Sequence, residues 1–349
     1  MEKLSPMEEV KSCTVRFIAE QLGFHYSTVS RVLSGNDEVA CKAASKATVE
    51  KIRSFAAKNG YSPNPLAITF RTQQSRLIGV SVPRLSDIIW ATIYEGIENA
   101  ALARGYSAYV TNSYDIPEMQ KRQMNLAMAR RVEGLILGDM HTTQESLDFL
   151  AEVNVPFVLA LRRAGTHLSV TCDDRDGGGQ AAKFLFSQGH RNVAVLGGLC
   201  FTSTGQDRTQ GFTDFFKKAG HPIPAERVIH SSFDTQSGHE SARRLLEMHP
   251  SLTAIYAVND FAAIGAMGAA RVAGLTPGES IALIGYNDTP LAAELPIPLA
   301  TVRNPVRQLG EEAMRLLFQR LAGTPCDSVV LKPQLIVRES GYFSSRSLP

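Results

Sequence analysis

The chain has 349 residues, 44% of them hydrophobic and 20% charged, with a formal net charge of +2. That length exceeds what a single core usually organises, so two or more domains are expected. No apolar run approaches the ~18 residues needed to cross a bilayer, and MEKLSPMEEVKS at the N-terminus is acidic where a leader would be basic and then apolar; the expectation is a soluble, cytoplasmic protein without a membrane partner.

Residues 14 to 33, TVRFIAEQLGFHYSTVSRVL, read as two short helices around a tight turn. The first runs from Val15 to Leu22, with Thr14 as N-cap and Ile18, Ala19 and Leu22 on one face. Gly23 stands where a left-handed residue ends a helix. In the second, Val29, Val32 and Leu33 are spaced for burial, which leaves Tyr26, Ser27, Ser30 and Arg31 outside. Hydroxyls and a guanidinium suit phosphates and base edges, so the pattern is that of a DNA-reading helix-turn-helix, although an ordinary helical hairpin shares it.

A third helical stretch carries Val49, Ile52 and Phe55, and is followed by GYSPNPLAITFRTQQSRLIGV at residues 60 to 80. Lys and Arg outnumber Asp and Glu by 9 to 4 between residues 12 and 76, while residues 77 to 349 carry a net −2. The cationic excess therefore sits with the candidate DNA-binding segment.

From Leu77 onward the short runs LIGVSV, SAYVTN, GLILGD, PFVLAL, NVAVLGG, TAIYAV and IALIGY alternate with amphipathic segments. This argues for parallel sheets with helices on both faces, in two doubly wound lobes, with a ligand at the carboxyl ends of the strands. Gly177, Gly179 and Ala182 satisfy GxGxxA, a pattern that can mark a dinucleotide-binding turn. It lies far from the first strand-to-helix unit, and the next strand ends without the acid that would hold a ribose, so it reads as a helix start. No GxxxxGK[ST], HExxH or GxSxG run occurs, and the chain is expected not to be an enzyme. The cysteines Cys13, Cys41, Cys172, Cys200 and Cys326 form no CxxC pair, so neither a zinc site nor a disulfide framework is indicated, and no cofactor is expected.

Tyr61, Pro63 and Asn64, the helix pair before them, and the later landmarks Gly96-Ile97, Glu133-Gly134-Leu135, Gly189-His190-Arg191, Arg208 with Gly211-Phe212, Asn259-Asp260 and Gly285-Tyr286-Asn287-Asp288 together resemble the lactose and galactose repressor family of bacterial transcriptional regulators. The resemblance runs from residue 14 to about 342. It implies an α/β chain with an all-α helix-turn-helix head (12–62), a hinge helix and linker (63–76), and a two-lobed effector domain resembling periplasmic binding proteins (77–345). The first lobe would hold about 77–172 and 304–330, the second about 173–303 and 331–345.

By the same resemblance the chain is a repressor that binds double-stranded operator DNA as a homodimer and answers to a small effector: a sugar, sugar acid or sugar phosphate. A sugar-binding protein of the same fold without a regulatory role is the alternative, and it would lack the head. Tyr26, Ser27 and Arg31 would read bases, Thr28 and Ser30 the backbone, and Thr14 and Asn64 would complete the DNA-facing set. In the hinge, Phe70 replaces the usual leucine wedge of the minor groove, and Ala67 lets two hinge helices approach.

Phe17 stands where the family has an acid in the first helix, which puts the cap there in question. About five extra residues between Val39 and Thr48 read as a longer loop, with Lys42 and Lys46 facing phosphate. The effector set carried over is Asp87, Trp90, Arg162, Arg208, Phe233, Asn259 and Asn287. Asn287 and Leu161 replace two acids while the arginines stay, which predicts a cationic pocket and an acidic ligand. A tetramer would need an added C-terminal oligomerisation segment, and the tail FSSRSLP, short and polar, is not expected to supply one.

Overall fold

The computed structural model describes residues 13–34, 37–61 and 74–343, in two compact units that divide at residue 75. Asn64, Ala67 and Phe70 of the expected hinge lie outside the described residues.

The head contains α1 (Val15–Leu22), α2 (Tyr26–Val32), α3 (Asp37–Ala43) and α4 (Lys46–Lys58) around a core of Ile18, Val29, Val32, Ala40 and Ile52. Thr14 Oγ1 accepts a hydrogen bond from the Phe17 backbone at 3.2 Å, and Gly23 takes φ 69° at the end of α1. The cap thus forms without an acid at position 17, and the Phe17 ring lies against Phe55, with centroids 6.5 Å apart. Leu33 is only partly buried, because α2 ends at Val32 and residue 33 caps it.

The expected loop after Val39 is instead helix α3. DEVACKA is alanine-rich, with acids in its first turn and a lysine in its last, which favours a helix over a loop, and Ala40 is fully buried. Lys42 is tied to Glu38 at 2.6 Å, and Arg53 of α4 reaches Asp37 at 2.6 Å. Ser45 caps α4 through the Thr48 backbone, and Lys46 is exposed at its first position.

In the second unit the chain runs β1 (Leu77–Val82), α5 (Ile88–Leu102), β2 (Ser107–Asn112), α6 (Pro117–Ala129), β3 (Gly134–Leu137), α7 (Gln144–Ala151), β4 (Phe157–Ala160), β5 (Ser169–Cys172) and α8 (Asp174–Ser187). It continues β6 (Val193–Gly197), α9 (Ser203–Lys218), β7 (Val228–His230), α10 (Thr235–Met248), β8 (Ala254–Ala257), α11 (Asp260–Val272), β9 (Ala282–Asn287) and α12 (Pro290–Glu294). The last elements are β10 (Ala300–Arg303), α13 (Val306–Leu321), β11 (Val329–Leu331) and β12 (Gln334–Ile336). They build two six-stranded sheets, ordered β11-β5-β4-β3-β1-β2 and β12-β10-β9-β8-β6-β7. Every pairing is parallel except β10 with β12.

The inner strands β3, β4, β5, β6, β8 and β9 are buried throughout, as such sheets require, whereas the edge strands β2, β7, β11 and β12 are partly exposed. The chain passes between lobes after β5, after β10 and after β11, which puts α13 on the first lobe against α5. Three helix pairs approach over glycine on both partners. A Cβ on Gly310 would come 2.1 Å from the Ile93 carbonyl, one on Gly211 2.0 Å from Arg175, and one on Gly265 2.1 Å from Thr235. The GxGxxA run belongs to this packing: it lies inside α8, where a Cβ on Gly178 would come 2.2 Å from the Arg208 carbonyl.

Candidate functional site

A cavity of about 300 Å³ lies at the carboxyl ends of the strands, between the two sheets. All seven residues of the expected effector set line it. They arrive on loops that leave β4, β7, β8 and β9, and on the start of α5 and the body of α9.

Asp87 caps α5, its Oδ1 accepting from the Ile89 backbone at 3.0 Å, and burial pushes its carboxyl above the ordinary range. One turn on, Trp90 lies across the end of β3. Phe233 lies across the end of β6, and the Asn259 amide donates to the Phe233 carbonyl at 2.6 Å. Asn259 Oδ1 accepts from Ala262 and so caps α11. Its amide thus holds the ring-bearing loop and the helix start, a role that its sequence position did not disclose.

Two strand ends are strained. Leu161 after β4 has φ 63°, and Asn287 at the end of β9 has φ 109°, both costly for residues with a Cβ. Asn287 Oδ1 and Arg208 Nη2 are buried without a hydrogen-bond partner among the described residues. Such atoms are costly unless something in the cavity completes them.

Both expected cations arrive already paired. Arg162 makes a two-pronged contact with Asp115, Nη1 to Oδ1 at 2.5 Å and Nη2 to Oδ2 at 3.1 Å. Arg208 Nε meets Asp174 at 2.8 Å, its Nη1 donates to the Val258 carbonyl, and its guanidinium lies 3.9 Å from the centre of the Tyr286 ring. Burial works against the Asp115 charge, but the hydrogen bonds from His141 and Arg162 outweigh it and hold the carboxyl at about 2. Burial likewise opposes both members of the Arg208–Asp174 pair, and Asp174 keeps Arg208 above its ordinary range.

The expectation of a cationic pocket is therefore corrected. The arginines did remain, but Asp115 and Asp174 are paired with them, and Asp87 adds a further carboxyl group to the lining. Asp115 follows β2 and Asp174 opens α8, each far in sequence from its arginine, so no local pattern pointed to the pairs.

In the head, Tyr26 is 55% exposed, Arg31 and Thr14 are exposed, and Ser27, Thr28 and Ser30 are half-buried. Arg31 is paired with no carboxylate among the described residues. His25 went unnoticed in the sequence: its ring caps α2 and lies 2.7 Å from the Ser27 hydroxyl, fixing a side chain on the candidate DNA-reading face. Histidine is outside the usual N-cap set, so only its place just before the helix could have flagged it.

Residues 75–335, three quarters of the chain, match the family described as periplasmic binding proteins and sugar binding domain of LacI family. The chain belongs to the LacI family. It is 30% identical to the HTH-type transcriptional regulator CelR of Thermobifida fusca over 346 residues, 96% of this chain and all of that protein. Among solved structures it is similar to the lac repressor dimer bound to operator and the anti-inducer ONPF, with a TM-score of 0.86, 27% identity, 95% of this chain and all of that one covered. A CelR–cellobiose complex matches with a TM-score of 0.72 and 28% identity, covering 94% of this chain and all of that one. These LacI-family relatives are transcriptional regulators rather than enzymes. Among the described residues no helix is long and apolar enough to cross a membrane, and no cluster of ligating side chains is placed to hold a metal ion.

Proposed function

We propose that this LacI-family regulator is a repressor that binds a near-palindromic operator as a homodimer and changes its operator affinity when a small sugar-like ligand enters the cavity between the lobes. The carrying observation is the joining, in one chain, of a helix-turn-helix head to a cavity lined from both lobes by aromatic rings and by polar atoms without partners.

Tyr26, Ser27 and Arg31 meet base edges and Thr28 and Ser30 meet phosphate, with two recognition helices about 34 Å apart in successive major grooves. Trp90 and Phe233 offer apolar faces to the ligand ring, Asp87 and Asn287 accept from its hydroxyls, and Arg208 Nη2 donates. A ligand that touches both lobes stabilises one lobe arrangement over the other, and a coupling of ~1–3 kcal/mol suffices to shift operator occupancy. The residues act by binding alone, in keeping with a protein that is not an enzyme.

The test is operator selection from a random duplex pool, followed by fluorescence anisotropy on the selected site with and without mono- and disaccharides. Specific binding that one sugar changes tenfold or more is expected. A chain that selects no sequence would end the regulator reading, and one whose DNA affinity no sugar alters would end the effector reading.

A further inference from the structure

Arg162 and Asp115 line the cavity together, but unequally: the arginine side chain is 4% exposed and the carboxylate 17%. The guanidinium fork points at Asp115, so the member of the pair presented to the cleft is the anion. Asp115 Oδ1 also lies 3.5 Å from His141 Nε2, and the His141 ring packs against Phe201 of the second lobe, with centroids 4.1 Å apart and the planes tilted by 37°.

The backbone is bent to hold that carboxylate in place. Tyr114 and Asp115 both take φ 57°, two successive side-chain-bearing residues in the left-handed region. The turn is held by Tyr114 N donating to the Pro83 carbonyl and by Asp115 N donating to Ser113 Oγ. Strain at a ligand-facing turn persists only where its surroundings enforce it, and it points to a function for the residue so placed.

Accordingly we infer that Asp115 sets the charge class of the ligand: it occupies, from within the chain, the place on Arg162 that a ligand carboxylate or phosphate would otherwise take, and so admits uncharged ring ligands and turns anions away. The inference rests on the cavity being the effector site. An incoming anion has to displace a two-pronged, His141-supported carboxylate or lie against it, and Asp87 puts a second carboxyl group into the lining within reach of Arg162. The second guanidinium offers no open fork: Arg208 gives Nε to Asp174 and Nη1 to the Val258 carbonyl, which leaves Nη2 alone for a ligand.

The decisive experiment removes the internal anion and asks whether a free one replaces it. Asp115→Ala leaves room for acetate beside Arg162. Its melting temperature should rise saturably with sodium acetate, by ~3 °C at tenfold excess over the dissociation constant, relative to sodium chloride at equal ionic strength. The unaltered protein and the double variant Asp115→Ala/Arg162→Met should show no such rise. Asp115→Asn, which keeps the side-chain volume, is run beside it with acetate and inorganic phosphate, in case the alanine chain does not fold.

Absence of rescue in both single variants would overturn the inference, as would equal rescue in the unaltered protein or in the double variant. The readout needs neither operator nor sugar. Rescue in a chain whose DNA binding no sugar alters would therefore uphold the charge assignment while the effector reading falls.

Discussion

The indole of Trp90 lies directly over the Cα of Gly138, so close that a Cβ on residue 138 would sit 2.2 Å from Trp90 Cζ3. The second lobe repeats the device: a Cβ on Gly198 would meet Phe233 Cε1 at 2.2 Å. In each lobe a strand runs into a glycine, and an aromatic ring that lines the cavity is laid across it. The absence of a side chain at the strand end is what sets the position of each ring.

Gly138→Ala should therefore push Trp90 towards the cavity, because the ring meets rigid backbone on its other side. Overpacking of this kind costs ~1–3 kcal/mol. The expected result is a melting temperature lowered by a few degrees, with at least tenfold weaker binding, by calorimetry, of whichever sugar stabilises the unaltered protein. Gly198→Ala should act similarly through Phe233. Unchanged affinity in both variants would remove the rings from the ligand site.

The buried pair gives a sharper stability prediction. Arg208→Met leaves Asp174 buried without its cation, a loss of ~3–5 kcal/mol in urea unfolding. Arg208→Met combined with Asp174→Asn removes the stranded charge, and should recover more than half of that loss. If the double variant were no more stable than the single, the Nη1 contact to Val258 or the stacking on Tyr286 would be carrying the energy instead.

These contacts also mark what the sequence could disclose. Strand runs such as LIGVSV and SAYVTN were legible because buried parallel strands are continuous apolar or β-branched segments, and each coincides with a strand of the fold. The short strands Val228–His230, Val329–Leu331 and Gln334–Ile336 were not, since three residues carry no period. Cavity residues at strand ends were found by position within a family pattern, which locates a side chain without naming its partner. Asp115 lies 47 residues from Arg162, and Asp174 lies 34 from Arg208. Tertiary pairing at that range cancelled the positive charge expected of the pocket. Helix α3 is hidden for a different reason: a departure in length from the family pattern suggests a loop, although its alanines and end charges favour a helix.

On the head, Arg31→Ala should weaken binding to the selected operator by ~1–3 kcal/mol and relax sequence preference at one position of each half-site. His25→Ala tests the cap: the Ser27 hydroxyl loses its partner and α2 loses ~1 kcal/mol of capping. Specific binding should then fall while nonspecific binding at low salt stays within twofold. An equal fall in both would assign Arg31 and His25 to phosphate contact rather than base reading.

His190 gives a prediction in pH. It is 3% exposed, its Nδ1 lies 2.9 Å from Thr253 Oγ1, and its Nε2 has no partner among the described residues. Burial, aided by the neighbouring Arg191, lowers its pKa from 6.5 to about 4. A histidine depressed in this way stabilises the fold fully above 6.5, and that contribution is lost as pH falls from 6.5 towards 4. By pH 5 the loss is ~2 kcal/mol. Asp260 works in the opposite sense. Burial raises its carboxyl from 3.8 to about 6, so the fold gains stability as pH falls through that window. Asp87 and Asp174, also raised by burial, act in the same sense as Asp260, so the unaltered protein shows only the balance of these opposing contributions, and a flat profile between pH 7 and 5 would not exonerate His190. His190→Gln separates them: on going from pH 7 to 5 its urea midpoint should rise relative to that of the unaltered chain, by the loss that His190 no longer imposes. A variant whose pH dependence matches that of the unaltered protein would show that His190 does not remain neutral in the folded state.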